Sequence, residues 1–286
     1  MRKLNKPADS AGDVFSLCVS GVKKDEDLKN RFTQVKPHIV KAAADYEVAA
    51  TAGTLYTLKE EQDVAGIVTQ QEMVKLYDQW MVNSRSKGRR IYDKLKGVIG
   101  PCPLCGHLPI ETLDHHLPKD LFPALTVTPT NLVPSCSDCN KAKRTVRPRT
   151  ADEQTFHPYF DDFGTERWLY AKVLEGVPPS LLFFVQAPAS WAPLQTARAQ
   201  HHFRTYKLAR LYGSQAGTEL GSIRYLLMQE FLRTGAEGVR VHLTEQAVSR
   251  ERYNRNSWQT AMYRALSESP WFCSEGFPKI SQAENP

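Results

Sequence analysis

No apolar run in this 286-residue sequence approaches the roughly 20 residues that a membrane-spanning helix requires. The opening "MRKLNKPADSAGDVF" also lacks the apolar stretch of a secretory signal, so the expectation is a soluble, cytoplasmic protein with no membrane partner. Glycine-rich phosphate loops are missing, which argues against ATP hydrolysis by the chain itself, and no nucleophile triad of serine, cysteine or histidine can be assembled. Internal repeats and low-complexity tracts are absent too. Acidic residues are outnumbered, 31 against 37 Lys and Arg, and the resulting net charge of +6 permits nucleic acid as a partner without demanding it. What is present is 41% hydrophobic content, enough for an ordinary buried core.

The positive charge is concentrated. Arg85, Lys87, Arg89, Arg90, Lys94 and Lys96 crowd one stretch against a single acid, Asp93, and Lys141, Lys143, Arg144, Arg147 and Arg149 crowd another with no acid among them. Each run is either a solvated face or the footprint of a polyanion.

Hydrophobic periodicity divides the chain into three regions. Residues 1–97 read as a helical N-terminal region with a basic segment. Leu28, Phe32, Val35, Ile39, Val40 and Ala43 recur at helical spacing over 24–50, with Pro37 expected to kink or split that helix. "TQQE" at Thr69 has the form of a capping box leading into "MVKLYDQWMV". Gly97, Gly100, Pro101 and Pro103 then interrupt any helix, so a new unit is expected near residue 98. Residues 98–160 are turn-rich, with "ETLDHHL" and "TNLVPSC" as short strands and "SDCNKAKR" as a short helix. Residues 161–286 read as a hairpin, "RWLYAKVLE" and "SLLFFVQA" flanking "GVPP", followed by helices at 195–212, 216–234, 243–252 and 256–268. The aromatic-rich final segment from Trp258 to Phe272 is the strongest candidate for a docking surface.

Six cysteines occur, four of them as "CPLC" (Cys102, Cys105) and "CSDC" (Cys136, Cys139). Two Cys-x-x-Cys pairs suit tetrahedral zinc, because each pair presents two thiolates from one tight turn and four sulfurs close a structural site. A thioredoxin-like redox pair and two disulfides are the alternatives, and neither explains why two pairs bracket "LDHHLPK". Cys18 and Cys273 are read as core thiols.

The run "CPLCG…LDHHLPKDLFP…TNLVPSCSDCNKAK" resembles the HNH endonucleases of the zinc-knuckle, ββα-metal type, over about 45 residues from Cys102 to Arg144. The resemblance implies an α+β fold, mainly helical, with a ββα-metal core embedded on a zinc knuckle of four cysteines. It implies metal-dependent hydrolysis of phosphodiester bonds in DNA, with structural Zn²⁺ and a catalytic Mg²⁺ or Mn²⁺. More loosely, the whole chain is similar to the HNH subunits of Septu-type anti-phage systems, which work beside an ATPase; that likeness implies an ATPase partner. A non-catalytic zinc-ribbon module that docks on nucleic acid or protein, and a nuclease acting on RNA or tRNA, are the competing readings.

The chemistry calls for these residue types. Phosphodiester hydrolysis needs a base for water, a cation on the leaving oxygen and donors that hold the phosphate. In a strand, Asp114 and His116 would share one face and His115 the other. The family places its Asp-His at a strand end, where both reach the scissile phosphate, so the likeness makes His115 the base and Asp114 a ligand of the catalytic ion. Asn140 matches the second metal ligand, and Asn131 the middle asparagine that bridges the loop and orients the base. His116 is a packed ring or a phosphate contact, and His157 in "FHPYFDDF" a packed histidine, an added ligand or a phosphate contact. Lys119, Lys141, Lys143 and Arg144 are candidate nucleic-acid contacts.

Overall fold

The computed structural model describes residues 2–281, which form two compact units, Arg2–Asp162 and the stretch from Phe163 onward. Among the described residues no helix is long and apolar enough to cross a membrane. The α+β expectation holds: the described residues are mainly helical, with three small antiparallel sheets of two strands each among them.

In the first unit, α1 (Ala11–Val19) starts at Ser10, whose hydroxyl accepts from the Asp13 amide, and α2 (Glu26–Ala52) starts at Asp25, whose carboxylate accepts from the Leu28 amide. These side chains satisfy backbone N–H groups that have no partner inside a helix. Phe32, Val35, Ile39, Ala43, Tyr46 and Ala49 bury one face of α2. Pro37 lies on its exposed side, and α2 is not split there: the ring disturbs no core contact. A minimal hairpin of β1 (Asp63–Val64) and β2 (Val68–Thr69) leads into α3 (Gln70–Tyr77). The expected capping box is present there, with Thr69 and Glu72 exchanging side-chain and backbone hydrogen bonds. Glu72 also receives two hydrogen bonds from Arg31, at 2.9 and 2.7 Å, which tie α3 to α2. A short π-helical turn, Asp78–Val82, leads on toward α4 (Arg89–Lys96). The strands β3 (Thr112–His115) and β4 (Leu132–Ser135) and the helix α5 (Ser137–Lys143) follow in this unit.

The glycine and proline cluster at 97–103 does not separate units, contrary to the expectation of a boundary near residue 98. Phe15, Phe32, Ile39, Met73 and Leu76 from the helices share one hydrophobic core with Leu113, Ala124, Val127 and Leu132 from beyond the cluster. Turn chemistry there bends the chain without interrupting burial. The N-terminal segment is tied down as well: the Arg2 amide donates to the Pro103 carbonyl at 3.1 Å and the Leu4 amide to the Pro158 carbonyl at 2.9 Å.

In the second unit, the strands expected around "GVPP" are β5 (Leu169–Leu174) and β6 (Ser180–Val185), which pair antiparallel from Leu169↔Val185 to Leu174↔Ser180. The helices that follow are α6 (Pro193–Thr205), α7 (Leu208–Tyr253) and α8 (Trp258–Ser267). The expected break at 213–215 is absent. Lys207, with φ 52°, separates α6 from α7, and the single non-helical residue within α7 is Gly235 at φ 71°, ψ −166°. Only glycine takes that conformation at little cost. The final segment also differs from expectation, because Trp258, Met262, Tyr263, Leu266 and Phe272 are buried within their own unit rather than presented as a docking surface. Cys18 and Cys273 are core thiols; burial pushes the first up to about 12 and the second up to about 11.

If the first unit has one core, Ile39→Ala in α2 should destabilise all of it by about 2–5 kcal/mol. Native-state hydrogen exchange should then show faster exchange at Leu113 and Leu132 as well as in the helices. Changes confined to residues before 98 would show two independent units.

Candidate functional site

The two Cys-x-x-Cys turns converge. All four sulfurs, of Cys102, Cys105, Cys136 and Cys139, are buried and lie within 4.8 Å of one another, with the sulfurs of Cys105 and Cys136 4.0 Å apart. Disulfide bonding is excluded, since a sulfur–sulfur bond is about 2.05 Å, and all four cysteines are free. Tetrahedral coordination with zinc–sulfur distances near 2.3 Å would separate sulfurs by about 3.8 Å. The cluster can therefore hold a metal ion such as zinc. Gly106, at φ 66°, closes the first turn and donates to the Cys102 carbonyl at 2.7 Å, in a conformation that disfavours a side chain. The second turn opens α5, and Cys136 is at once a cluster member and the cap of that helix, its sulfur accepting from the Cys139 amide at 3.4 Å.

Between the turns, β3 pairs antiparallel with β4. The register sets Asp114 opposite Val133 and His115 opposite Leu132. His115 is the last residue of β3, and all four residues of that strand line the same pocket. The outcome for the histidine pair is direct. Asp114, His115 and Asn140 line one open pocket of about 400 Å³. His116 does not; its ring packs against His157 at 4.2 Å between centroids, and both residues are buried.

His115 is locked. Its Nε2 lies 2.8 Å from the Thr126 carbonyl oxygen, which can only accept, so Nε2 carries the proton and Nδ1 is the basic nitrogen. Burial holds the imidazole neutral, its pKa lowered to about 3. The Tyr77 ring meets the imidazole edge-on at 4.7 Å, and the Lys119 ammonium sits 4.9 Å over the same tyrosine while pairing with Asp78 at 3.4 Å.

Asn131 fixes the loop that carries Thr126. Fully buried, it accepts from the Leu117 amide at 2.8 Å through Oδ1 and donates to the carbonyls of Leu117 at 3.0 Å and Leu125 at 3.3 Å through Nδ2. Its own carbonyl accepts from the His116 amide at 2.8 Å. The amide therefore holds the loop, the loop holds Thr126, and Thr126 holds His115.

Asp114 is 4% exposed, and burial pushes its carboxyl upward against the pull of Lys143. The Lys143 ammonium lies 3.1 Å from Oδ2 and 3.2 Å from Oδ1, and also donates to the His115 carbonyl. Lys143 is thus buried in the site and cannot meet a backbone phosphate at the surface. His116 and His157 are removed from the surface contacts for the same reason. His157 belongs to a buried relay: its Nδ1 accepts from the Tyr159 amide at 3.2 Å, so Nε2 donates to the Tyr46 hydroxyl at 2.8 Å. Lys141 and Arg144 remain exposed, and Arg144 lines the pocket. Tyr77 and Tyr92 line the pocket as well, and Tyr46, outside that lining, is bonded to His157. All three come from helices before residue 98, and no local pattern in the sequence marks their arrival.

Over 296 aligned positions the chain is 29% identical to Protein ea31 of Escherichia phage lambda, a match that covers 95% of this chain and 99% of that protein. No family model matches the chain. No solved structure matches it either.

Asn131→Ala removes three hydrogen bonds from buried backbone groups, which should cost about 2–4 kcal/mol. Urea denaturation of the full chain measures that loss. A change below about 0.5 kcal/mol would mean that the loop does not depend on the asparagine.

Proposed function

We propose that the chain is a metal-dependent endonuclease of the HNH type, acting on DNA, with zinc held by Cys102, Cys105, Cys136 and Cys139. The observation that carries this reading is that Asp114, neutral His115 and Asn140, brought together from β3 and α5, line one open pocket beside the four-cysteine cluster. A zinc-ribbon docking module has no use for a buried carboxylate and an oriented neutral imidazole at the wall of a cavity.

His115 Nδ1 takes a proton from water as the water oxygen attacks phosphorus. The bond from phosphorus to the 3′ oxygen breaks, and that oxygen takes a proton from solvent, leaving a 5′-phosphate and a 3′-hydroxyl. Thr126 and Asn131 keep the ring oriented, and the edge of Tyr77 limits its rotation. Asp114 and Asn140 supply oxygen ligands, the donor type that Mg²⁺ and Mn²⁺ prefer. When bound there, the ion would stabilise charge on the leaving oxygen. Arg144 at the pocket, Lys141 on α5, and the exposed Arg85, Lys87 and Arg90 offer positive charge to the flanking phosphates. The likeness to Septu-type subunits adds an ATPase as partner and anti-phage defence as the setting. Trp258, Met262, Tyr263, Leu266 and Phe272 are core, so these side chains do not offer such a partner a surface.

His115→Ala should lower the rate of plasmid nicking by about 100-fold or more while zinc content and DNA affinity stay unchanged. His116→Ala should lower stability and retain measurable nicking. Equal nicking by His115→Ala and the parent chain would remove His115 from the reaction.

Substituting Cys136 by serine should release the zinc and unfold the first unit, because the same residue caps α5 and closes the cluster. Elemental analysis and far-UV circular dichroism read both effects. A folded, zinc-loaded Cys136→Ser chain would contradict the assignment.

A further inference from the structure

The carboxylate that would receive the catalytic ion already has a cation. Lys143 places its ammonium within 3.1 and 3.2 Å of the two Asp114 oxygens and gives its remaining proton to the His115 carbonyl. Three acceptors meet three N–H donors, and the lysine and aspartate side chains are each only 6% exposed. Lys143 ends α5, and Arg144 after it leaves helical geometry at φ 54°, ψ −142°.

The charges around the pocket cancel. Asp78, Asp114 and Asp120 on the wall face Lys119 and Arg144, and the buried Lys143 behind Asp114 balances the third acid; Asp78 pairs with Lys119, Asp114 with Lys143, and the Asp120 carboxylate accepts from the Gln70 side chain at 3.0 Å. Asn140 adds an oxygen but no charge. A divalent ion arriving alone would share one carboxylate with an ammonium, in a pocket with no net negative charge to hold it. A DNA phosphodiester brings the missing charge and further oxygen ligands.

We infer that Lys143 keeps Asp114 as a neutral pair, so that the divalent ion is not resident but enters together with the DNA phosphate. This rests on the nuclease reading of the pocket. Ion and DNA then strengthen each other's binding by the same factor. Lys143 is a positioning residue that sets the affinity of the ion through Asp114.

The test is a Mn²⁺ titration of the zinc-loaded full chain followed by electron paramagnetic resonance, with and without a short duplex DNA, using His115→Ala to prevent turnover. Mn²⁺ should bind roughly tenfold or more tightly with DNA present, and DNA should bind more tightly by the same factor with Mn²⁺ present. Lys143→Met keeps the aliphatic stem and removes the charge. It should tighten Mn²⁺ binding roughly tenfold without DNA and shrink the effect of DNA to about threefold or less. Should Lys143→Met not fold, the titration of the chain with Lys143 in place decides alone. Equal Mn²⁺ affinity with and without DNA overturns the inference and leaves the nuclease reading standing if plasmid is still cut. A zinc-loaded chain that binds no DNA overturns both.

Discussion

Four buried sulfurs crowded within 4.8 Å are the constraint from which the site follows. Deprotonated and without a cation they repel one another, and no apolar core encloses four thiolates at acceptable cost. A metal ion such as zinc would turn that crowding into a closed joint between two distant turns. Cys136 then transmits the constraint, because it belongs to the cluster and also caps α5. The direction of α5 decides where Asn140 and Lys143 sit, and the pairing of β3 with β4 decides where Asp114 and His115 sit. Asp114, His115 and Asn140 meet at one pocket, and a metal joint would hold them there.

Around that pocket the packing is polar where a core would ordinarily be apolar. Asn131 serves buried backbone groups across the β3–β4 connection, Lys143 neutralises Asp114, and the Tyr46–His157–Tyr159 relay holds α2 against the same region. Each group is placed by hydrogen bonds with specific donors and acceptors, so the site is oriented rather than merely filled. Partly broken networks cost more than apolar substitutions. The helices before residue 98 supply Tyr46 and Tyr77 and share the core, and are thus part of the site's frame.

The parts legible in sequence are those with local or strongly spaced signals. Two Cys-x-x-Cys pairs, the capping box at Thr69 and the hairpin about "GVPP" can all be read because each depends on neighbours within a few positions. Which of the two histidines lines the pocket is not readable from alternation, which locates faces but not strand ends; His115, the last residue of β3, lines it and His116 does not. Lys143 hides among basic residues, where a buried cation has the same letter as a solvated one. The boundary near 98 misleads for a related reason: glycine and proline report where the backbone turns, whereas Leu113 and Leu132 report burial only once their partners on α2 and α3 are known. In α7, Gly213 and Gly217 look like breakers as much as Gly235 does, and only the last has a backbone angle that requires glycine.

The central claim is that this pocket hydrolyses DNA. Its most direct measurement is incubation of the zinc-loaded chain with supercoiled plasmid in Mg²⁺ or Mn²⁺, with EDTA as control, followed by analysis of the ends. The account predicts metal-dependent nicks bearing 5′-phosphate and 3′-hydroxyl groups, lost in Asp114→Ala. Nicking that persists unchanged in Asp114→Ala, or a plasmid left intact by a zinc-loaded chain that binds it in Mn²⁺, would contradict the account.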